Sequence, residues 1–466
     1  MSISQALSNA ASGLSAVGRT TGVVSSNLAN SLTPGYSRQE VVLSNIAGTA
    51  GTGVRVTAVL RDVDPALTLQ RLKAQSEAAG TGVEAAFLKA LEDSLGTSDS
   101  GDSLSARVAR LAATLDTASS LPSSESRLAD VLTAAKALAE KINGIGRAAQ
   151  EARAVADQKL AADVGMVNAN LSRIDELNRA VVAGAARGSE INTLLDERQR
   201  LVDSIADALP VRQTLQDDGR ISLHLSDGTT LLEGTRVAQL AFSPAGDMTA
   251  GTTIENGLLS GVTLDGKPLS LGAGGRISEG RMAAQLTVRD QLAPAFQKEV
   301  DAFAGDLIAR FDSAAKTLAA DGVGFFRDAS ATGGAGLAGR LAISADYDPD
   351  QGGALWRIRN GAGTTTERPG DAGGLIALST ALEKDKPLTD SAATLLSSVA
   401  TRRLSVEMEA SFRTARSDQL RSAEAARGVN SDEEVQKLLL MEQAFAANAR
   451  VLQAADEMMK TLLGIR

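Results

Sequence analysis

Near each end of the 466-residue chain, apolar residues recur at spacings that alternate between four and three. At the start the series is Ile3, Leu7, Ala10, Leu14, Val17, Thr21, Val24 and Leu28; at the end it is Leu438, Met441, Phe445, Asn448, Leu452, Ala455, Met459 and Leu462. Such a seam holds its register on a helix only when a second helix covers it. Two terminal seams of similar length invite pairing with each other, which would close the chain into an elongated hairpin with the β parts at the far end. A helix over 3–28 would be about 39 Å long. An ordinary intramolecular bundle is the plainer reading of either seam taken alone. Asn448 fits a seam position that fixes register at some cost in stability, or it faces outward on a slightly overwound helix.

The first helix has an unusual outer face. Arg19 is its one charged residue, and Ser, Asn, Thr and Gln fill the rest. A solvated helix face normally carries charge, so a neutral face predicts further packing. Gly13, Gly18 and Gly22 weaken the helix in isolation. The segment is therefore expected to be poorly ordered alone and helical among neighbours. Composition agrees with long helices: 43% of residues are hydrophobic but only 3% aromatic, so the apolar content is mainly Ala, Leu and Val.

Between the ends the pattern changes several times. Pro34-Gly35 predicts a turn, and Glu40–Leu43 and Val54–Thr57 read as short strands around a Gly/Thr loop. Helical stripes follow: Val83, Phe87, Leu91 and Leu95, then Leu104, Val108, Leu111 and Leu115, then a long run from about 125 to 183 and another from 190 to 208. Ile221, Leu223 and Leu225 alternate with polar residues before Asp-Gly, a strand-turn signal. The expected organisation is a terminal helix with short strands over 1–60, a helical body over 61–210, a β-rich domain over 211–282, a returning helix over 283–318, a glycine-rich β or loop region over 319–385, and C-terminal helices over 386–466. The fold class is mainly α with a β insertion: an elongated antiparallel helical bundle or coiled coil formed by both termini, with a β-rich outer domain.

Chemistry is sparse. There is no Cys and a single His, His224, so thiol chemistry and Cys-ligated zinc are excluded. His224 sits on the polar face of its strand and reads as a solvated residue. Gly334-Ala-Gly336-Leu-Ala-Gly339 matches GxGxxG, but strand before and helix after are missing, which makes it a turn rather than a dinucleotide loop. Asp346, Asp348 and Asp350 alternate like the start of a calcium loop, yet Gln351 and Arg357 stand where Gly and Glu are needed. Leu-Asp-Glu-Arg-Gln-Arg (195–200) reads as a solvated helix face. No catalytic residue, metal or cofactor is expected. Net charge is −9 with no basic block, which argues against nucleic acid or an anionic membrane. No apolar run approaches 18 residues and no secretory signal peptide opens the chain, so membrane insertion is not expected.

Several stretches resemble a known family. Ser-Asn-Ala-Ala-Ser-Gly-Leu-Ser-Ala with Ser26-Asn27-Leu28-Ala29-Asn30 resembles the N-terminal signature shared by flagellar rod, hook and hook-associated proteins. Pro34-Gly35-Tyr36-Ser37-Arg38-Gln39 resembles the Gly-Tyr-(Thr/Ser)-Arg-Gln of the hook-associated protein 1 family, as do Arg61-Asp-Val-Asp64, Leu69-Gln70-Arg71-Leu72 and Leu194–Val202. Gly428-Val429-Asn430 and Gln443–Leu452 resemble the axial-protein C-terminus. Phe445 replaces a common Tyr and Ser431 a common apolar residue.

The resemblance implies a structural subunit of the bacterial flagellum that joins hook to filament, with both chain ends forming an axial core. It implies export by the flagellar type III pathway without a cleaved signal, and an extracellular place at the hook–filament junction. The implied partners are further copies in a ring, the hook protein, a second hook-associated junction protein and an export chaperone on the C-terminal helix. Ile3, Leu7, Leu14, Val17, Val24 and Leu28 together with Leu438, Met441, Phe445, Asn448, Leu452, Met459 and Leu462 are the candidate assembly interface. A hook or distal rod subunit is the nearest alternative. A secreted adhesin or matrix-acting enzyme would need a site within 211–375, and none is visible there; a helical signalling rod is disfavoured by the β insertion.

Overall fold

A computed structural model describes residues 3–464 apart from 34, 49–50, 98, 320–321 and 331–332. Pro34, expected to form a turn with Gly35, and the tip of the first hairpin lie outside the described residues.

The chain opens with α1 (Ile3–Ala29) and an antiparallel hairpin, β1 (Gln39–Gly48) and β2 (Gly51–Arg61), with a bulge between Val42 and Leu43. Four helices follow: α2 (Pro65–Leu95), α3 (Leu104–Ser120), α4 (Glu125–Ala186) and α5 (Asn192–Ala208). Their starts are written locally. Asp64 accepts from the Ala66 and Leu67 amides ahead of Pro65 at the first position of α2, and Ser103 accepts from the Ala106 amide at α3. Pro210 follows the end of α5.

Strands β3 (Val211–Leu215), β4 (Ile221–Leu225), β5 (Thr230–Glu233) and β6 (Arg236–Val237) form one antiparallel sheet in sequence order. A second small sheet contains β7 (Leu240–Ala241), β8 (Thr263–Leu264) and β9 (Lys267–Pro268). Then α6 (Arg281–Thr287) passes through a π-helical turn, Val288–Leu292, into α7 (Ala293–Leu318). A strand pair, β10 (Phe326–Asp328) with β11 (Leu341–Ile343), precedes α8 (Trp356–Asn360), α9 (Gly373–Glu383), α10 (Leu388–Ala426) and α11 (Ser431–Gly464). The fold is thus mainly helical with small antiparallel sheets, as the periodicities predict. No helix among the described residues is long and apolar enough to cross a membrane.

Two compact units result. The first comprises 1–77, 166–239 and 413–466; the second comprises 78–165 and 240–412. The division falls inside the stretch expected as one β-rich domain over 211–282. The physical reason is pairing: β6 ends the first sheet, and Leu240 pairs with Leu264 in the other. The stretch 319–385, expected as β or loop, carries helix α9. Leu375, Leu378 and Leu382 are buried at helical spacing, a period hidden in sequence by Gly373-Gly374.

In the second unit, Leu111, Val131, Leu138, Ile142, Phe296, Phe303 and Leu388 belong to one apolar core. Phe311, Phe325, Phe326 and Tyr347 cluster within it at centroid distances of 4.9 to 6.1 Å. Two fully buried arginines sit beside the π-helical turn. Arg289 pairs with Asp157 at 2.6 Å and Asp290 at 2.7 Å. Arg153 donates instead to carbonyls, of Arg289 at 2.9 Å, Thr249 at 2.8 Å and Thr252 at 2.5 Å, and burial pushes its guanidinium below the ordinary range. The loop around 249–252 is held by that side chain.

In the first unit, Val167, Leu171, Ile174 and Leu177 of α4 are fully buried, as are Val202 and Ile205 of α5 and Leu223 and Leu232 of the four-stranded sheet.

Candidate functional site at the paired chain ends

In the first unit α1 lies along α11. Asn27 Nδ2 donates to Glu434 at 3.1 Å, and a Cβ on Gly13 would meet the Asn448 side chain at 3.0 to 3.2 Å. These two pairs are fourteen residues apart on each helix, so the helices run antiparallel without stagger. Asn448 therefore faces α1, and Gly13 leaves room for its amide. The same register carries Leu462 past the start of α1 at Ile3.

The candidate interface residues divide by position. Val24 is buried; Ile3, Leu7, Leu14, Val17 and Leu28 are half-buried, as are Leu438, Met441, Asn448 and Leu452. Phe445, Met459 and Leu462 are exposed, the last at 59%. On α1 the deepest residues are Ala10, Ala16, Val23, Val24 and Asn27, which spread beyond the expected seam. The cause is a second neighbour: α1 also meets the hairpin, where the Val54 amide donates to Ser12 Oγ at 3.3 Å.

The polar centre of the pairing is Asn27. Its Oδ1 accepts from the Gln39 amide at 3.0 Å and from Tyr36 Oη at 2.9 Å, and its Nδ2 donates to the Gln39 carbonyl at 2.9 Å as well as to Glu434. Arg38 Nε donates to the other Glu434 oxygen at 2.9 Å, and Lys437 Nζ lies 3.3 Å from it. Glu434 is 1% exposed. Burial alone would raise its pKa, but hydrogen bonds from Asn27 and Arg38 hold the carboxyl below its usual range. One step of four before Leu438, Glu434 occupies the next position of the C-terminal seam, which is the signal that would have located it in the sequence.

A second cluster adjoins the hairpin. Arg61 lies 2.7 Å from Asp196 and donates to Ser37 Oγ at 2.8 Å. Arg71 pairs with Asp203 at 2.7 Å and Glu424 at 2.5 Å. Arg198 donates to Asn178 Oδ1 at 3.0 Å and the Gly219 carbonyl at 2.8 Å, and burial brings its pKa down to about 10. The run 195–200 is thus not the solvated face expected of it: Asp196 and Arg198 are buried because α5 turns them toward the hairpin and α4. Near Tyr36 and Ser37 a cleft of about 530 Å³ opens, lined by Arg38, Arg71, Arg421 and Arg427 against Asp62, Asp64, Asp203 and Glu424. Four charges of each sign leave it no preference for an ionic ligand.

The other motifs are internal fastenings. The amides of Gly336 and Ala338, inside the GxGxxG run, donate to Asp301 of α7 at 2.6 and 2.8 Å, so a carboxylate of the chain itself fills that nest. Lys136 sits 2.9 Å from Asp348 and 3.3 Å from Asp350. His224 Nδ1 meets Thr230 Oγ1 at 3.2 Å. No cluster of His, Cys, Asp or Glu among the described residues could hold a metal ion.

Residues 88–323, just over half the chain, match the family model described as the flagellar hook-associated protein FlgK helical domain. Residues 424–465, which take in all of α11, match the flagellar basal body rod FlgEFG protein C-terminal model. Flagellar hook-associated protein 1 of Escherichia coli (strain K12) is 24% identical over 285 residues, 59% of this chain and 52% of that protein. Its Salmonella typhimurium counterpart is 24% identical over 260 residues, 54% and 47% of the two chains. The chain spans about half the length of these curated relatives. The flagellar hook junction protein FlgK from Burkholderia pseudomallei aligns at 19% identity and a TM-score of 0.45, over 56% of this chain and 46% of that one. The two family-model matches define a flagellar protein. The chain belongs to the flagellar hook-associated protein FlgK family.

Proposed function

We propose that this chain is the subunit that joins hook to filament, and that its paired terminal helices polymerise by coiled-coil packing with neighbouring copies in a ring. The observation that supports this most directly is the surface left over by the pairing of α1 and α11. Leu440, Val451 and Met458 of α11 are exposed along a flank separate from the residues that meet α1, and Phe445, Met459 and Leu462 add to the uncovered apolar surface. The exposed side of α1 is small and neutral, Ser8, Ala11, Ser15, Gly18, Gly22 and Ser25, with Arg19 its single charge. Small residues on one helix and large apolar ones on the other suit close helix packing between copies.

On this reading the hook protein lies on one side of the ring and a second hook-associated protein on the other, outside the cell. The chain is exported without a cleaved signal, and a chaperone covers the apolar C-terminal helix until assembly. The C-terminal match to rod proteins keeps a hook or distal rod subunit as the second reading.

Electron microscopy of a deletion strain, with flagellin assayed in the medium, tests both. Complete hooks without filaments and shed flagellin support the junction. Absent hooks move the assignment to rod or hook, and normal filaments overturn it.

A further inference from the structure

The seam between α1 and α11 is shallow. Most of its apolar residues are only half-buried, whereas Asn27 and Glu434 are almost completely enclosed. Besides the buried Ala10, Val24 and Ala455, the most enclosed point of the pairing is thus a polar one. Glu434 draws its partners from three places: Asn27 at the end of α1, Arg38 in the turn beyond it, and Lys437 one helical turn further along α11. Asn27 is itself held by the backbone of Gln39 on both its amide groups and by Tyr36. An enclosed carboxylate without its partners is disfavoured, so α11 loses this position unless the segment carrying Tyr36, Arg38 and Gln39 has folded back onto α1. In the other direction, Asn27 and Arg38 lose an acceptor if α11 is absent.

We infer that Asn27, Arg38 and Glu434 form a latch that makes pairing of the two chain ends all-or-none: the C-terminal helix docks on α1 only once the N-terminal turn has closed. The inference concerns the folding of the chain ends and stands apart from the junction reading, since a rod or hook subunit would need the same closure. Its consequence is that α11 does not lie half-docked on a chain whose N-terminal turn is open.

The chain has no cysteine, so a single introduced pair reports the pairing. Gly13→Cys with Asn448→Cys places two thiols across the helices, fourteen residues from the latch, about 21 Å along each axis. The full-length double-cysteine chain is oxidised mildly, and cross-linking is followed by mobility under non-reducing conditions. Arg38→Ala changes a turn residue outside both helices. The latch predicts that it slows cross-linking by at least about tenfold, because an enclosed carboxylate left without its arginine is strongly disfavoured. Hydrogen exchange around Leu138 and Phe303 verifies that the second unit stays folded. If Arg38→Ala disturbs that core, the comparison is read from Glu434→Gln, which keeps the shape. Cross-linking as fast as in the parent with the core intact would overturn the latch, as would a parent chain that does not cross-link.

Discussion

Arg61, the last residue of the hairpin, and Asp196, in the first turns of α5, lie 2.7 Å apart with only 11% and 10% of their side chains exposed. Burial is the dominant influence on both, lowering the arginine pKa and raising that of the carboxyl, and their mutual attraction only partly offsets it. The pair therefore specifies position more than it stabilises. Asp196→Ala should cost about 3–5 kcal/mol by leaving Arg61 enclosed and unpaired, whereas Arg61→Met with Asp196→Leu should recover most of that loss. Urea unfolding of the two singles and the double measures it; a double no better than Asp196→Ala would show that the pair is a net stabiliser.

Acid should act on Glu434 and Asp196 in opposite directions. Glu434 has a folded pKa below the unfolded value of about 4.3, so its contribution is present above that value and is lost as pH falls through the lower folded pKa. The Asp196 pKa is raised, so its contribution is present below the unfolded value of about 3.9 and is lost as pH rises through the folded pKa. Relative to the parent, Glu434→Gln should flatten the fall in urea midpoint below about pH 4.3. Asp196→Asn should remove the opposing gain that accompanies acidification down to about pH 3.9, so its midpoint should fall more steeply than the parent's above that value. Parallel curves for all three chains would contradict the assignment.

Arg153 should govern the loop around 249–252. Its head group satisfies three carbonyls, two of them in that loop. Arg153→Leu removes one donor from each of those oxygens; the Thr249 carbonyl keeps the Thr252 amide at 3.0 Å, and each oxygen left buried and unpaired costs about 1–3 kcal/mol. The expected readout is faster hydrogen exchange over 249–260, with the α7 core around Phe303 unchanged.

Asp301 should set the order of the glycine loop. Its two oxygens take the Gly336 and Ala338 amides, and Gln297 adds a third donor. Asp301→Asn offers one oxygen in place of two and removes the charge, which should cost about 1.5–3 kcal/mol. Exchange at those two amides should rise while the β10–β11 pair holds.

Seam substitutions should separate pairing from assembly. Leu14→Asp and Leu452→Asp put charge at half-buried positions of the two terminal seams and should weaken the pairing by about 1–3 kcal/mol. Leu462→Asp lies beyond α1 and should leave the pairing intact while reducing attachment to hooks. Fractionating hook–basal bodies beside cross-linking of the isolated chain measures both, and normal attachment in all three variants would count against the assembly scheme.

The helices were legible because their periods are long. The stripes of α2 to α5 and both terminal seams could be read from spacing alone, and α11 begins after Asn430, whose side chain accepts from the Asp432 and Glu433 amides as a cap should. The split of the β region was not legible, since two-residue strands such as β6 and β7 carry no period and the partner of Leu240 lies at Leu264. The polar centre was half legible. Asn27, Arg38 and Asp196 fall in stretches that the family resemblance picked out, but which residues meet is a long-range fact, with Glu434 more than 390 positions from Arg38. A charged residue in a seam position was the clue available, and heptad counting from Leu438 passes over it because it looks for apolar residues.

The unstaggered register of α1 and α11 also reaches into how such a chain can vary across generations. Between Gly13 and Asn27 on one side, and Glu434 and Asn448 on the other, a single inserted or deleted codon would turn the remainder of that helix by about 100° and move it along by 1.5 Å. The far contact would then be lost while the near one held. Length in these two stretches can drift only as a matched pair of changes, one near each end of the gene, so these stretches should be the most length-invariant parts of the chain.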